Sequence, residues 1–223
     1  MPNTQSVDWV ERYRPTSLGE LILPSELRRR LTIVTKNKGG MSLLLYGRPG
    51  VGKTTFASLI RPECTLRVDC SLSGKIESIR NLISACSTYG FIETEAGIEG
   101  SRRLVLLDEA DYLSKEAFDA IRHLIEKFNV VNDFILTTNH IHKIPEAIQS
   151  RCLPVHFNPE AYPELKFGLR NRLKEILRLE NINEVSDSEV DRIVNTAFPD
   201  LRRSIKLLQF NFQKENEASY ETV

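Results

Sequence analysis

The sequence predicts an α/β fold, a parallel five-stranded sheet clothed by helices and followed by a small helical unit. Three observations carry that expectation. Short apolar runs alternate with stretches whose apolar residues recur at helical spacing, as in a sheet whose strands are joined by crossover helices. The first of these runs breaks into a glycine-rich loop and a later one ends in carboxylates. After Asn158 and Pro159 the strand-like runs stop and only helical spacing remains. A chain of 223 residues with 41% hydrophobic content can bury one ordinary α/β core and a smaller attached one.

Residues 7 to 24 read as irregular, with Pro15 and Pro24, and a helix is expected over Glu26 to Thr35, where Leu27, Leu31 and Val34 share a face. The apolar run Ser42 to Tyr46 is the first strand, and Thr55 to Ile60 continue as a helical face beyond the loop. Further strands are expected at 65 to 69, 104 to 108, 134 to 138 and 153 to 157. Between them, Ile76, Ile79, Leu82 and Ile83 form one helical stripe, and Ala117, Ile121, Leu124, Ile125 and Phe128 another. Residues 88 to 103, with Gly90, Gly97 and Gly100, follow no regular pattern and read as a loop or short hairpin. Three helices close the chain, at about 160 to 181, 187 to 197 and 200 to 213, the second opened by a capping box from Ser186 to Glu189.

Bulk properties narrow the function classes. Thirty Lys plus Arg balance thirty Asp plus Glu, so attraction to nucleic acid must come from a local patch. No run approaches the roughly 20 apolar residues of a membrane span, and residues 1 to 20 lack a basic-then-apolar signal layout. No membrane is expected, and the expected location is the cytoplasm, or the nucleus in a eukaryote. Cys64, Cys70, Cys86 and Cys152 lack CxxC spacing and read as free buried thiols, not as metal ligands.

The loop after the first strand, Gly47, Arg48, Pro49, Gly50, Val51, Gly52, Lys53, Thr54 and Thr55, fits G-x-x-x-x-G-K-[ST] between a strand and a helix. Glycines at 47, 50 and 52 permit backbone angles that turn several N–H groups toward a phosphate at the positive end of the next helix. Lys53 supplies a charge for the terminal phosphates, and Thr54 a hydroxyl for Mg²⁺. The plainer reading is a glycine-rich turn that merely joins strand to helix. Residues 104 to 111, LVLLDEAD, weigh against it: four apolar residues run into carboxylates, as a buried strand does on reaching a site. Asp108 would then hold Mg²⁺, and Glu109 would orient the attacking water. Asp111 and Ser114 are expected to cap the following helix.

An extra strand between the loop and the carboxylates resembles the AAA+ class of ATPases, a P-loop NTPase core with a helical lid. The opening VDWVERYRPTSLGELI is similar to the first box of clamp-loader subunits, the replication factor C family and its phage counterparts. That resemblance places Tyr13, Arg14 and Pro15 beside adenine. It makes Asn139, ending ILTTN, the sensor 1 residue, and Arg151, in QSRC, the arginine finger. It also puts Arg202, in FPDLRRSI, on the nucleotide as sensor 2. Simpler readings stand beside these: Asn139 as a turn residue, Arg151 as a charge complementing a helix C-terminus, and Arg202 or Arg203 as solvated helix residues.

The same resemblance implies a core over 1–157, with 7–24 on the adenine side, and a lid over 158–223; clamp-loader subunits continue into a helical collar domain, which is expected to be absent from this sequence. It implies Mg-ATP hydrolysis that loads a sliding clamp on primer-template DNA, with other clamp-loader subunits as partners in a pentamer. Lys75 and Arg80 match positions that track DNA phosphates, although an ordinary charged helix face explains them equally well; Lys36, Lys38, Arg102 and Arg103 are weaker candidates. Two departures stand out: Phe118 occupies a place where the family carries a glutamine linking DNA to the active site, and Asp69 a place where asparagine is common. Rival functions are a helicase loader or Holliday-junction motor, and a nucleotide-binding scaffold that never turns over.

Overall fold

The computed structural model describes residues 8–36, 42–60, 65–73, 76–88, 103–182 and 184–218. The elements in chain order are α1 (Trp9–Arg12), α2 (Ser25–Lys36), β1 (Leu43–Gly47), α3 (Lys53–Ile60), β2 (Thr65–Asp69), α4 (Cys70–Ser73) and α5 (Ile76–Thr88). They continue with β3 (Arg103–Asp108), α6 (Lys115–Phe128), β4 (Asn132–Thr138), α7 (Glu146–Gln149), β5 (Leu153–Phe157), α8 (Leu165–Leu179), α9 (Asp187–Ala197) and α10 (Leu201–Ala218). The expected strands and principal helices are all present. Most of the irregular stretch expected at 88 to 103 lies outside the described residues.

All strand pairs are parallel, in the order β2-β3-β4-β1-β5. The chain leaves β1 for the far edge at β2, returns through β3 and β4, and then crosses β1 to lay β5 on the opposite edge. Ligands of open parallel sheets collect where the strand order switches in this way, beyond the carboxyl ends of the strands. The central strands β3 and β4 are buried on both faces, which is why they read as unbroken apolar runs instead of alternating ones. One face packs Leu44, Val105, Leu107, Phe134 and Leu136 against Ile79 and Leu82 of α5 and Ile121 and Leu124 of α6. Pro154, which has no N–H to donate, is tolerated because β5 is an edge strand.

The chain divides into two compact units. One is residues 26–47 and 53–157; the other joins 158–223 to the N-terminal stretch up to Ser25 and to Arg48–Gly52. The stretch expected on the adenine side of the core thus groups, over its described residues 8–24, with the helical unit. Trp9, 4% exposed, packs against Leu169, Leu173 and Leu208 of the helical unit, and its backbone N–H donates to Gln209 Oε1 at 3.0 Å. An indole is too large a hydrophobic group to leave in water, and the helical unit is what buries it.

Local caps follow the sequence, with one exception. Ser186 and Glu189 close a reciprocal capping box at α9, and Ser114 Oγ accepts from Ala117 N at 3.2 Å at the start of α6. Asp111 does not cap α6. Its carboxylate accepts from Thr138 Oγ1 at 3.0 Å and lies 4.0 Å from Lys143 Nζ, because β4 ends beside it. Among the described residues no helix is long and apolar enough to cross a membrane.

Cys70, Cys86 and Cys152 are free and buried, and Cys64 lies outside the described residues. Burial pushes the thiols of Cys70 and Cys152 up to about 12 and that of Cys86 up to about 11, the charge of Asp108 adding to the rise at Cys70. A thiol whose pKa is raised stays protonated below it, so at pH 8 these three hold almost no thiolate, the reactive form. A chromogenic disulfide reagent at pH 8 is therefore expected to leave all three unmodified in the native protein and to label them on unfolding. Rapid native labelling mapped to any of them would contradict this burial.

Candidate functional site

The loop after β1 is shaped by backbone that few other residues could adopt. Gly47 and Gly50 have φ of +147° and +76°, and Gly52 has φ of +95°. A Cβ at Gly47 would come within 2.2 Å of the Phe157 carbonyl oxygen, and one at Gly50 within 1.9 Å of the Asp200 carboxylate. Both space and dihedral demand glycine. Within the helical unit, Leu201 N donates to the Gly50 carbonyl at 3.2 Å, and Asp200 Oδ1 caps Arg203 N at 2.8 Å.

Lys53 opens α3 with its side chain almost buried. Its ammonium donates to the Gly47 carbonyl and to Asn139 Oδ1, both at 2.8 Å. Residues 86 apart in sequence meet because β4 lies beside β1, with Thr138 in register with Tyr46. Thr54, one residue further, donates through Oγ1 to Asp108 Oδ1 at 2.8 Å. Asp108 ends β3, the strand on the other side of β4. The structure thus brings together Gly47, Lys53, Thr54, Asp108 and Asn139, all chosen from the sequence.

Glu109 follows in a left-handed backbone conformation, φ 54° and ψ 47°, which costs a non-glycine residue roughly 1–2 kcal/mol. Its N–H donates to Thr137 Oγ1 at 3.0 Å, and that hydroxyl donates in turn to Asp108 Oδ1 at 2.6 Å. Thr137 was not among the residues chosen from the sequence. The available signal was a hydroxyl side chain inside the apolar run FILTTN, where an unpartnered oxygen would be costly to bury. Thr137→Val is expected to destabilise the protein by about 1–3 kcal/mol, since it leaves the Glu109 N–H without this partner and removes one donor from the buried Asp108. Urea unfolding measures this; a change within about 0.5 kcal/mol would show that solvent reaches these groups.

The donor set suits a small divalent cation. A hydroxyl and a carboxylate oxygen stand side by side at the strand end, hard ligands that leave water and phosphate to complete an octahedron. Among the described residues no group of three or more His, Cys, Asp or Glu assembles into a protein-only cage. Thr54 and Asp108 therefore fit Mg²⁺ carried in with a nucleotide.

The other expected site residues make contacts of their own or lie outside the described residues. Arg151 bonds to Glu126 through Nε at 2.8 Å and through Nη2, and its Nη1 donates to the Ala147 carbonyl. The Arg151 hydrogen bond holds the Glu126 carboxyl below its usual range. Arg202 is exposed on the first turn of α10, one residue after the Leu201 N–H that meets Gly50. Tyr13 donates its hydroxyl to Glu180, which also receives Arg12 at 2.6 Å, while Arg172 Nη2 donates to the Tyr13 carbonyl at 3.0 Å. Burial, then the Glu180 hydrogen bond, raises the Tyr13 phenol above its ordinary value. Arg14 pairs with Glu11 at 3.1 Å, and Pro15 is half-buried.

Arg80 is exposed on α5, whereas Lys75, Lys38 and Arg102 lie outside the described residues. Phe118 is buried in the apolar cluster between α5 and α6. Asp69 accepts from Ser71 N at 3.0 Å and from Ser71 Oγ at 2.6 Å, and the Ser71 hydroxyl bond lowers its carboxyl.

Residues 43–159 match the model of the ATPase family associated with various cellular activities, AAA. The chain belongs to the AAA family. Within it, the chain is 32% identical over 223 residues to the replication factor C small subunit of Methanococcus maripaludis, covering 96% of this chain and 68% of that one. It is 31% identical over 230 residues to replication factor C subunit 3 of Oryza sativa subsp. japonica, covering 100% of this chain and 62% of that one. These relatives place it in the replication factor C branch of AAA proteins, and the chain spans about 62% of the rice relative's length. The fold is also that of the Thermotoga maritima RuvB Holliday junction branch migration motor, with a TM-score of 0.68, 20% identity and coverage of 88% of this chain and 64% of that one. At that identity the likeness concerns fold alone.

Proposed function

We propose that this AAA protein binds and hydrolyses Mg-ATP as a clamp-loader subunit, using the nucleotide to place a sliding clamp on primer-template DNA. The observation that supports it best is the convergence of Lys53 with Asn139, and of Thr54 with Asp108, at the ends of three adjacent strands. The catalysis is positional. Backbone N–H groups of Gly47 to Gly52, including those of Arg48 and Val51, cradle phosphate oxygens, and Thr55 carries the helix on from the loop. Lys53 leaves its carbonyl partner for the terminal phosphates, and Asn139 keeps the ammonium aimed. Thr54 and Asp108 would hold Mg²⁺, which when bound neutralises charge on the phosphate oxygens. Glu109 orients the attacking water and accepts its proton.

Arg151 acts on the nucleotide of the neighbouring subunit, where a planar guanidinium suits charge spread over phosphate oxygens. Arg202, at the start of α10, adds a cation to the chain's own nucleotide, and Tyr13, Arg14 and Pro15 border the adenine. Residues 158–223 serve as lid, and Lys75 and Arg80 follow DNA phosphates. The partners are then the other clamp-loader subunits, in a pentamer by family resemblance, the sliding clamp and DNA. The likeness to a junction motor is one of fold, whereas the replication factor C relatives extend across nearly the whole chain.

The test is ATP turnover by the assembled oligomer, with and without primed DNA and a sliding clamp. Stimulation requiring both ligands is the expected result. Turnover indifferent to both, or raised equally by four-way junctions without a clamp, would overturn the clamp-loading reading.

A further inference from the structure

Asp108 is almost buried, its side chain 6% exposed, and its two oxygens are engaged by different groups. Oδ1 accepts from the hydroxyls of Thr54 and Thr137. Oδ2 accepts from the guanidinium of Arg67 at 2.7 Å. Arg67 stands on the edge strand β2 in register with Leu106, two residues before Asp108, so the two side chains are diagonal neighbours on one face of the sheet. An arginine keeps its charge at any pH at which the protein folds, so this carboxylate carries a permanent partner. The hydroxyls compete little with a metal ion, because they are neutral and Thr54 can itself become a ligand. The guanidinium is a full positive charge on an oxygen that a metal or its water shell needs.

We infer that Arg67 is a tethered counter-cation for Asp108, one that a divalent ion must displace or share, so that this residue sets the metal affinity of the nucleotide site. The inference rests on the nucleotide reading above and adds a positioning residue to it. It has a two-sided consequence. With the metal present, Arg67 opposes it, since two cations contend for one carboxylate. Without the metal, Arg67 helps, since it neutralises a carboxylate that would otherwise repel the nucleotide phosphates. Removing the charge should therefore move the two affinities in opposite directions, which general damage to the fold cannot do.

The full chain is titrated with a fluorescent ADP in the absence of divalent ions, and the protein–ADP complex is then titrated with Mn²⁺, followed by its paramagnetic resonance signal. A half-exposed charge-assisted hydrogen bond makes a shift of about tenfold the expected size. Arg67→Met, which keeps the apolar stem, should bind Mn²⁺ about tenfold more tightly and metal-free ADP several-fold more weakly than wild type. Arg67→Lys, which keeps the charge, should restore both affinities toward wild type. Unchanged Mn²⁺ affinity in an Arg67→Met protein that still binds ADP, or a shift of both affinities in the same direction, overturns this inference and leaves the nucleotide reading standing. Wild-type protein that binds no ADP at all overturns both.

Discussion

Glu109→Gln is expected to cut ATP turnover by roughly 10²–10⁴-fold while leaving ATP affinity within about twofold of wild type. Glutamine keeps the size of the side chain and can still hydrogen-bond a water, but it cannot accept the proton that water must lose. The backbone supports this division of labour. Glu109 is anchored by its own N–H on Thr137 and takes a left-handed turn at the end of β3, so its placement does not depend on its carboxylate. Single-turnover phosphate release and equilibrium binding of a labelled nucleotide separate the two effects. A parallel loss of binding would make Glu109 a ground-state ligand, and unchanged turnover would remove it from the mechanism.

Arg151→Ala should lower turnover of the assembled protein by about 10³-fold or more if the guanidinium serves a neighbour's nucleotide. Within its own chain that residue bonds to Glu126 and to the Ala147 carbonyl, as a side chain would that braces α7 against α6. Such a brace, partly exposed and screened by solvent, is too weak to produce the expected drop. Mixing distinguishes the roles. Arg151→Ala subunits retain Glu109, and Glu109→Gln subunits retain Arg151, so mixed assemblies regain turnover that neither variant shows alone. If mixing restores nothing, Arg151 acts within its own subunit.

Much of this molecule follows from chemistry that acts within a few residues. The leucines and valine of LLLYG and RLVLLD had to be buried as strands because Leu43 to Leu45 and Leu104 to Leu107 have no polar side chain to offer water, and β3 is indeed covered on both sides. The capping box at Ser186 is settled by side chains three residues apart, and the loop from Gly47 to Gly52 by backbone angles that favour glycine. These are local preferences, and a single sequence contains them in full. Asp111 misled because its position suits a cap just as well as the contact it makes: what draws it away is Thr138, at the end of a strand 27 residues on.

The sequence alone determined the alternation of strands and helices, the glycine loop, and the identity of Lys53, Thr54, Asp108 and Asn139 as groups of matching chemistry. Tertiary structure decided which of them meet, through a strand order that lays β4 between β1 and β3. It also decided that Trp9 joins the helical unit, that Thr137 links Glu109 to Asp108, and that Arg67 pairs with Asp108 and Glu126 with Arg151. The reason is physical: hydrophobic runs, caps and turns are stabilised by near neighbours, whereas the partner of a buried charge or an indole is whatever the packed sheet and helices bring beside it.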